Sequence, residues 1–167
     1  MADVILHTCC APCALKCVEA LRAEGIEPTL LWDNFNIHPY TEYNSRLESL
    51  KRFAEDEKLE LIIGGGYGLR GFLNGTPDKP ERCGRCYRAR LQNAARYGAF
   101  STTLLISPYQ NHELLREIGE SLGNFVYRDF RPLFREGQRL ARERGFYMQK
   151  YCGCIFSEEE RYVQAVR

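Results

Sequence analysis

The sequence predicts an α/β fold: a Rossmann-like parallel sheet of four to five strands with helices on both faces, in one domain over residues 1–167. Three observations predict it. Short apolar runs alternate, four or five times, with segments whose apolar residues recur at helical spacing. The helical segments open at capping residues or close at glycines. With 167 residues, 44% of them hydrophobic, the chain can bury an ordinary core.

The elements follow in order. ADVILHT (2–8) reads as a short buried strand. A helix from about Cys13 to Glu24 carries Ala14, Val18 and Leu21 on one face and stops at Gly25. EPTLLWD (27–33) is a second strand. Thr41 is placed to cap a helix running to about Glu57, with Tyr43, Leu47, Leu50 and Ala54 as its apolar stripe. LELII (59–63) is a third strand, and residues 64–80 are turn-rich. A helix follows from about Arg85 to Tyr97, then a strand, STTLLIS (101–107). Asn111 caps a helix carrying Leu114, Leu115, Ile118 and Leu122 and stopped by Gly123. NFVYRDF (124–130) offers a further short strand, and residues 131–144 are helical despite Gly137. Ser157 and Glu160 form a capping box for a last helix to the C-terminus.

Composition narrows the function. Net charge is +1, so no strong global field draws the chain to nucleic acid. No segment has the pattern of a signal peptide, and no apolar run is long enough to span a membrane; the expectation is a cytoplasmic protein. The eight cysteines then point to metal binding or catalysis rather than to disulfides.

They fall in three groups: Cys9, Cys10, Cys13 and Cys17; Cys83 and Cys86; Cys152 and Cys154. Soft thiolates select zinc, copper(I) or iron–sulfur clusters. A four-thiolate zinc site built from C-x2-C and C-x-C leaves the adjacent Cys9 and Cys10 unexplained. Neighbouring side chains diverge, so an adjacent pair suits a polynuclear cluster or two metals better than one small ion. A thiol–disulfide enzyme built on Cys83 and Cys86 does not need six thiols. Cys17 reads as a core cysteine. Cys13 stands open between ligand, helix-start thiol and packing.

GGGYG (64–68) lacks the remainder of either phosphate-binding motif and reads as a turn. Of the histidines, His7 sits in a strand pattern and His112 in a helix's first turn. His38 follows a strand at the expected functional rim and ranks first, with a turn-stabilising role as its other reading. Arginines outnumber lysines 18 to 5. Five lie between Arg82 and Arg96 with no acid, beside Cys83 and Cys86, which suggests a polyanionic substrate. Six lie between Arg128 and Arg144 against three acids and read as a solvated face.

Together HTCCAPC, NFNIHPYTEYNSRLES, ERCGRCYRARL, SPYQN, RDFR and YCGC resemble the epoxyqueuosine reductase family QueH, nearly end to end. The resemblance implies an iron–sulfur enzyme that removes the epoxide oxygen of epoxyqueuosine in the anticodon stem-loop of tRNA. It implies a 4Fe-4S cluster, a second mononuclear iron beside it, and an unidentified electron donor. By motif, Cys9 and Cys10 match the family's cysteine pair, Cys83 and Cys86 its C-x2-C, and Cys152 and Cys154 its C-x-C. The expectation is that Cys9, Cys10, Cys83 and Cys86 supply most of the cluster ligation, with Cys152 and Cys154, alone or with one of the adjacent pair, holding or flanking the other iron. Asn36, His38, Glu42, Tyr43 and Arg46 match the family's second motif. Asp129 and His38 are the expected proton donors, and Arg46, Tyr87 and Arg88 the expected substrate contacts. The rival is a zinc-stabilised RNA-binding module without catalysis.

Overall fold

The computed structural model of the protein describes residues 4–163. Strands β1 (Val4–His7), β2 (Pro28–Trp32), β3 (Leu61–Ile63) and β4 (Phe100–Thr102) pair in the order β3-β2-β1-β4, all parallel. β1 and β2 are buried along their whole length, which is why they read as unbroken apolar runs rather than alternating ones. Residues 2 and 3 of the expected first strand lie outside the described residues.

Seven α-helices are described: α1 (Ala11–Ala23), α2 (Tyr40–Glu57), α3 (Leu69–Leu73), α4 (Glu81–Ala95), α5 (His112–Leu122), α6 (Phe134–Glu143) and α7 (Ile155–Tyr162). From β1 to β3 the chain steps one way across the sheet, and from β3 to β4 it steps back past β2 and β1. Right-handed crossovers then put α1 and α2 on one face and α4 on the other. The packing agrees: α1 lies against α2 and α6, and α4 lies against α5, β1 and β4. The reversal of strand order falls between β1 and β4, so the chain segments leaving those two strands flank the crevice where such sheets bind ligands.

Several boundaries differ from expectation, each for a local reason. α1 opens at Ala11 with Pro12 in its first turn, a position where a missing N–H costs nothing. α2 opens at Tyr40, so Thr41 lies inside the helix and caps nothing. α4 opens at Glu81, four residues early, which takes Cys83 into the helix one turn before Cys86. The strand expected over 101–107 ends at Thr102. There the Thr102 hydroxyl accepts from the Leu104 N–H and turns the chain into a 3-10 turn, Thr103–Ile106. The stretch 124–130 pairs only at a single bridge, Phe125 with Phe100, because Asn124 takes a left-handed conformation (φ 57°). α5 has the expected cap, the Asn111 side chain accepting from the Leu114 N–H.

Gly137 is accommodated where α6 crosses α1: a Cβ there would stand 3.3 Å from Lys16 Cγ and 3.5 Å from the Pro12 carbonyl oxygen. α7 is capped by Cys154, whose sulfur accepts from the Ser157 N–H at 3.3 Å, rather than by a Ser157–Glu160 box. Glu160 pairs with Arg82 instead. The expected extension of this helix over 164–167 lies outside the described residues. α3 lies within the stretch 64–80 that reads as turn-rich; it buries Phe72 against Cys86 and Cys154.

Candidate metal centre

Cys9 and Cys10 leave the end of β1 just as expected, and Cys10 is the N-cap residue of α1. Helical spacing then brings Cys13 back over the pair. The three sulfurs lie within 4.8 Å of one another, all buried. Cys17, one turn further, is fully buried in the core. The Thr103 hydroxyl accepts from the Cys9 N–H at 3.3 Å and lies 3.5 Å from the Cys9 sulfur. The short β4 makes this contact possible, because the 3-10 turn swings Thr103 over the end of β1.

The three thiols share charge unequally. Hydrogen bonds from Cys10 and Cys13, helped by Thr103 and the charge of Arg46, hold Cys9 well below the usual thiol range. Burial pushes Cys10 up, and the bonds with Cys10 and Cys9 push Cys13 up. A bound metal would displace the protons these thiols carry.

The other four thiols form a second set. Cys83, Cys86, Cys152 and Cys154 line one small cavity of about 20 Å³, together with Tyr87, Arg90 and Asn36. Cys83 and Cys86 come from the first turns of α4; Cys152 and Cys154 come from the loop that enters α7. Burial pushes Cys86 up to about 12 and raises Cys83 as well. Phe72, Phe35 and Phe156 pack around Cys86 and Cys154 and keep that side apolar.

The two sets meet at Cys152. It lines the small cavity and also an open cleft of about 700 Å³, into which Cys9 and Cys13 face. Gln110, which likewise lines both, donates to the Cys152 sulfur at 3.3 Å and accepts from the Tyr87 hydroxyl.

Arg90 is the residue that sequence reasoning missed. It is fully buried, its Nε donates only weakly to the Cys86 carbonyl (3.4 Å), and its Nη2 has no partner among the described residues. The thiols of Cys86, Cys152 and Cys9 raise its pKa. A buried cation with no ion pair among the described residues is costly, so the site is built to hold something anionic there. Asn36 Oδ1, on the same small cavity, also lacks a partner among the described residues. An anionic, sulfur-rich metal group fits this donor set. The signal was in the sequence: Arg90 is four residues after Cys86 and seven after Cys83, one helix face.

Two residues expected to act on substrate hold the cysteine loop instead. Arg46 is buried, donates Nε to Glu42 (2.9 Å), Nη1 to the Cys152 carbonyl (2.9 Å) and Nη2 to the Tyr151 carbonyl (2.9 Å), and leaves no face for a substrate. His38 is also fully buried. Its Nε2–H donates to the Phe35 carbonyl (2.8 Å) and its Nδ1 accepts from the Ile155 N–H (3.0 Å), with its backbone N–H on the Gly153 carbonyl (2.8 Å). With both ring nitrogens committed and burial lowering its pKa, His38 is a neutral strut rather than a proton donor. Asp129 is exposed and bonded to Arg131, which holds its carboxyl down at about 2, so it carries no proton near neutrality. Tyr87 is buried against the small cavity. Arg88 is exposed, with no ion-pair partner among the described residues.

No helix among the described residues is long and apolar enough to cross a membrane. Residues 4–160 match the family model described as epoxyqueuosine reductase QueH. An epoxyqueuosine reductase QueH of Dehalococcoides mccartyi is 33% identical over 171 residues, spanning 95% of this chain and 94% of the relative. One of Thermotoga maritima is 32% identical over 182 residues, spanning 96% and 93%. One of Histophilus somni is 36% identical over 177 residues, spanning 92% and 71%. The cysteine-lined crevice at the β1–β4 switch point therefore belongs to a known lineage: this chain is a member of the epoxyqueuosine reductase family QueH.

Proposed function

We propose that this protein reduces the epoxide of epoxyqueuosine in tRNA, giving the alkene of queuosine. The reaction consumes two electrons and two protons and releases water. No side chain supplies electrons at the potential required, so a cofactor is needed. One observation carries the reading: two sets of thiols meet at Cys152 beside the buried, half-satisfied guanidinium of Arg90.

Cys9, Cys10, Cys83 and Cys86 would hold a 4Fe-4S cluster, and Cys152 and Cys154 would hold or flank a second iron. When bound, the cluster would supply electrons singly and the second metal would act as a Lewis acid toward the epoxide oxygen. The electrons come from a separate donor. Arg90 neutralises negative charge gathered by the sulfurs, and Thr103 and Gln110 donate to the sulfurs of Cys9 and Cys152. Arg46 and His38 fix the backbone of 151–155 so that Cys152 and Cys154 keep their places. The aromatic cap of Phe35, Phe72 and Phe156 excludes water from one side. The Cys152 sulfur, exposed in the cleft, would place the second iron where the substrate can reach it. Arg88 is available to an RNA phosphate on the outer face of α4.

The test is turnover. Anaerobically reconstituted protein, given reductant and an anticodon stem-loop carrying epoxyqueuosine, should remove one oxygen from the nucleoside, read by mass spectrometry. Colourless zinc-loaded protein that binds RNA without turnover would establish the rival instead.

A further inference from the structure

The cleft that opens beside Cys9, Cys13 and Cys152 has an unusual wall. Arg135 and Arg142 reach it from α6, Lys150 from the loop before Tyr151, and Arg161 from α7. No Asp or Glu among the described residues lines it. The arginines of the same chain region divide in two. Arg128, Arg131, Arg139 and Arg144 are each engaged by a carboxylate: Glu24, Asp129, Glu136 with Glu143, and Asp56 with Glu57. Arg135 and Arg142 have no ion-pair partner among the described residues, nor do Lys150 and Arg161. The cations that face the cleft are the ones left without a carboxylate, and those turned elsewhere are paired.

An aromatic pair stands in the same cleft. Tyr109 is 85% exposed, its ring centroid 6.0 Å from that of Phe134 in an edge-to-face arrangement. A large ring left open to water costs hydration free energy, and here it is braced edge-on with its own face uncovered. Unpaired cations beside an uncovered aromatic face are what unstacked nucleotides bind: phosphates take the guanidinium groups and a base stacks on the ring. A volume of about 700 Å³ is within the range that accommodates a nucleoside.

We infer that this wall, and not only the outer face of α4, receives the RNA: Arg135 and Arg142 hold phosphates flanking an unstacked nucleotide, and Tyr109 stacks on a base within the cleft that leads to Cys9 and Cys152. The inference rests on the reading of the protein as an enzyme acting on tRNA. It reverses the sequence reading of residues 128–144 as a solvated face. It also gives the Tyr of SPYQN a role distinct from that of its neighbour Gln110, which bonds to Cys152.

The test uses the full, anaerobically reconstituted protein and an unmodified anticodon stem-loop RNA, with binding followed by fluorescence anisotropy across a salt series. Arg135→Ala with Arg142→Ala should weaken binding roughly ten-fold or more and lower the salt slope by about 0.7 per lost contact. Arg139→Ala, on the same helix but paired with Glu136 and Glu143, should change neither. Tyr109→Leu should weaken binding several-fold at every salt concentration, and Tyr109→Phe should restore it. Equal losses from Arg139→Ala and the double variant would overturn the inference, as would RNA binding unaffected by the double variant or no RNA binding by the parent. Failure of the reaction reading is separable: turnover on the modified stem-loop would then be absent while the binding pattern above persisted.

Discussion

The Arg46 guanidinium donates to the carbonyl oxygen of Cys152, 106 residues away along the chain, at 2.9 Å. Arg46 is buried and Cys152 is exposed at the mouth of the cleft, so a core residue governs the position of a surface thiol. Arg46→Ala removes three hydrogen bonds at once and leaves Glu42 without its buried cation. Breaking a buried pair from one side costs about 3–5 kcal/mol. Urea titration should show a loss of that size, and Arg46→Lys, unable to reach both carbonyls, should restore only part of it.

Gly153 lies between the two cysteines of the loop with φ +151°. A Cβ there would stand 3.2 Å from Ile37 Cγ1 and 3.4 Å from both Arg46 Nη1 and Asn36 Nδ2. Gly153→Ala therefore strains the backbone and presses on the residues that fix the loop. The expected cost is about 1–3 kcal/mol in thermal or urea unfolding, with the second metal lost before the first.

Burial holds His38 neutral, with a folded pKa below the usual histidine range. The unfolded chain then binds the proton more readily than the folded one, so stability is complete above about pH 6.5 and is lost as pH falls below it. Protonating Nδ1 would also set its N–H against the Ile155 N–H. Urea midpoints of the metal-free protein should fall from pH 7.5 to pH 5, and His38→Gln should be less stable at pH 7.5 but fall less steeply. His7, pushed to about 4 by burial, adds to the slope in both proteins, so the difference between them is the quantity to read. Parallel curves would remove His38 from this account.

Arg90 gives a prediction with two signs. In the metal-free protein it is a buried charge with one weak hydrogen bond, so Arg90→Met should leave stability unchanged or raise it. In the loaded protein it balances sulfur charge, so the same variant should hold iron less tightly and shift the cluster's reduction potential downward. Melting curves of the metal-free protein and iron retention against a chelator measure the two halves. Loss of stability in both states would make Arg90 an ordinary core residue.

Asp129→Asn should leave turnover at the parental level. The carboxylate is exposed, ionised and committed to Arg131, and a solvent-screened pair of this kind contributes little. Slow turnover with intact iron would return Asp129 to the catalytic machinery.

Much of the framework was legible in the sequence because local rules decide it. The apolar runs of β1 and β2 are buried on both faces, and the Asn111 cap and the Gly25 stop act within a turn of their own helix. What was not legible depends on contacts distant in sequence. Thr102 ends β4 early through its own hydroxyl, but the consequence, Thr103 against Cys9, spans 94 residues. Arg46 and His38 carry the right chemistry for substrate contact or proton transfer. Only the return of the Tyr151–Ile155 loop shows their donors and acceptors already used. Cys13 was open between three roles until helix α1 was seen to begin at Ala11, which sets its sulfur with those of Cys9 and Cys10.

Iron and sulfide content, with Mössbauer spectra, on anaerobically reconstituted protein and its cysteine variants measures directly which thiols hold iron. Alanine at Cys9, Cys10, Cys83 or Cys86 should abolish the 4Fe-4S signal, while alanine at Cys152 or Cys154 should preserve it and remove the separate iron. Protein that takes up zinc but no iron would contradict the account. So would a cluster that survives loss of Cys9 and Cys10 yet vanishes without Cys152 and Cys154.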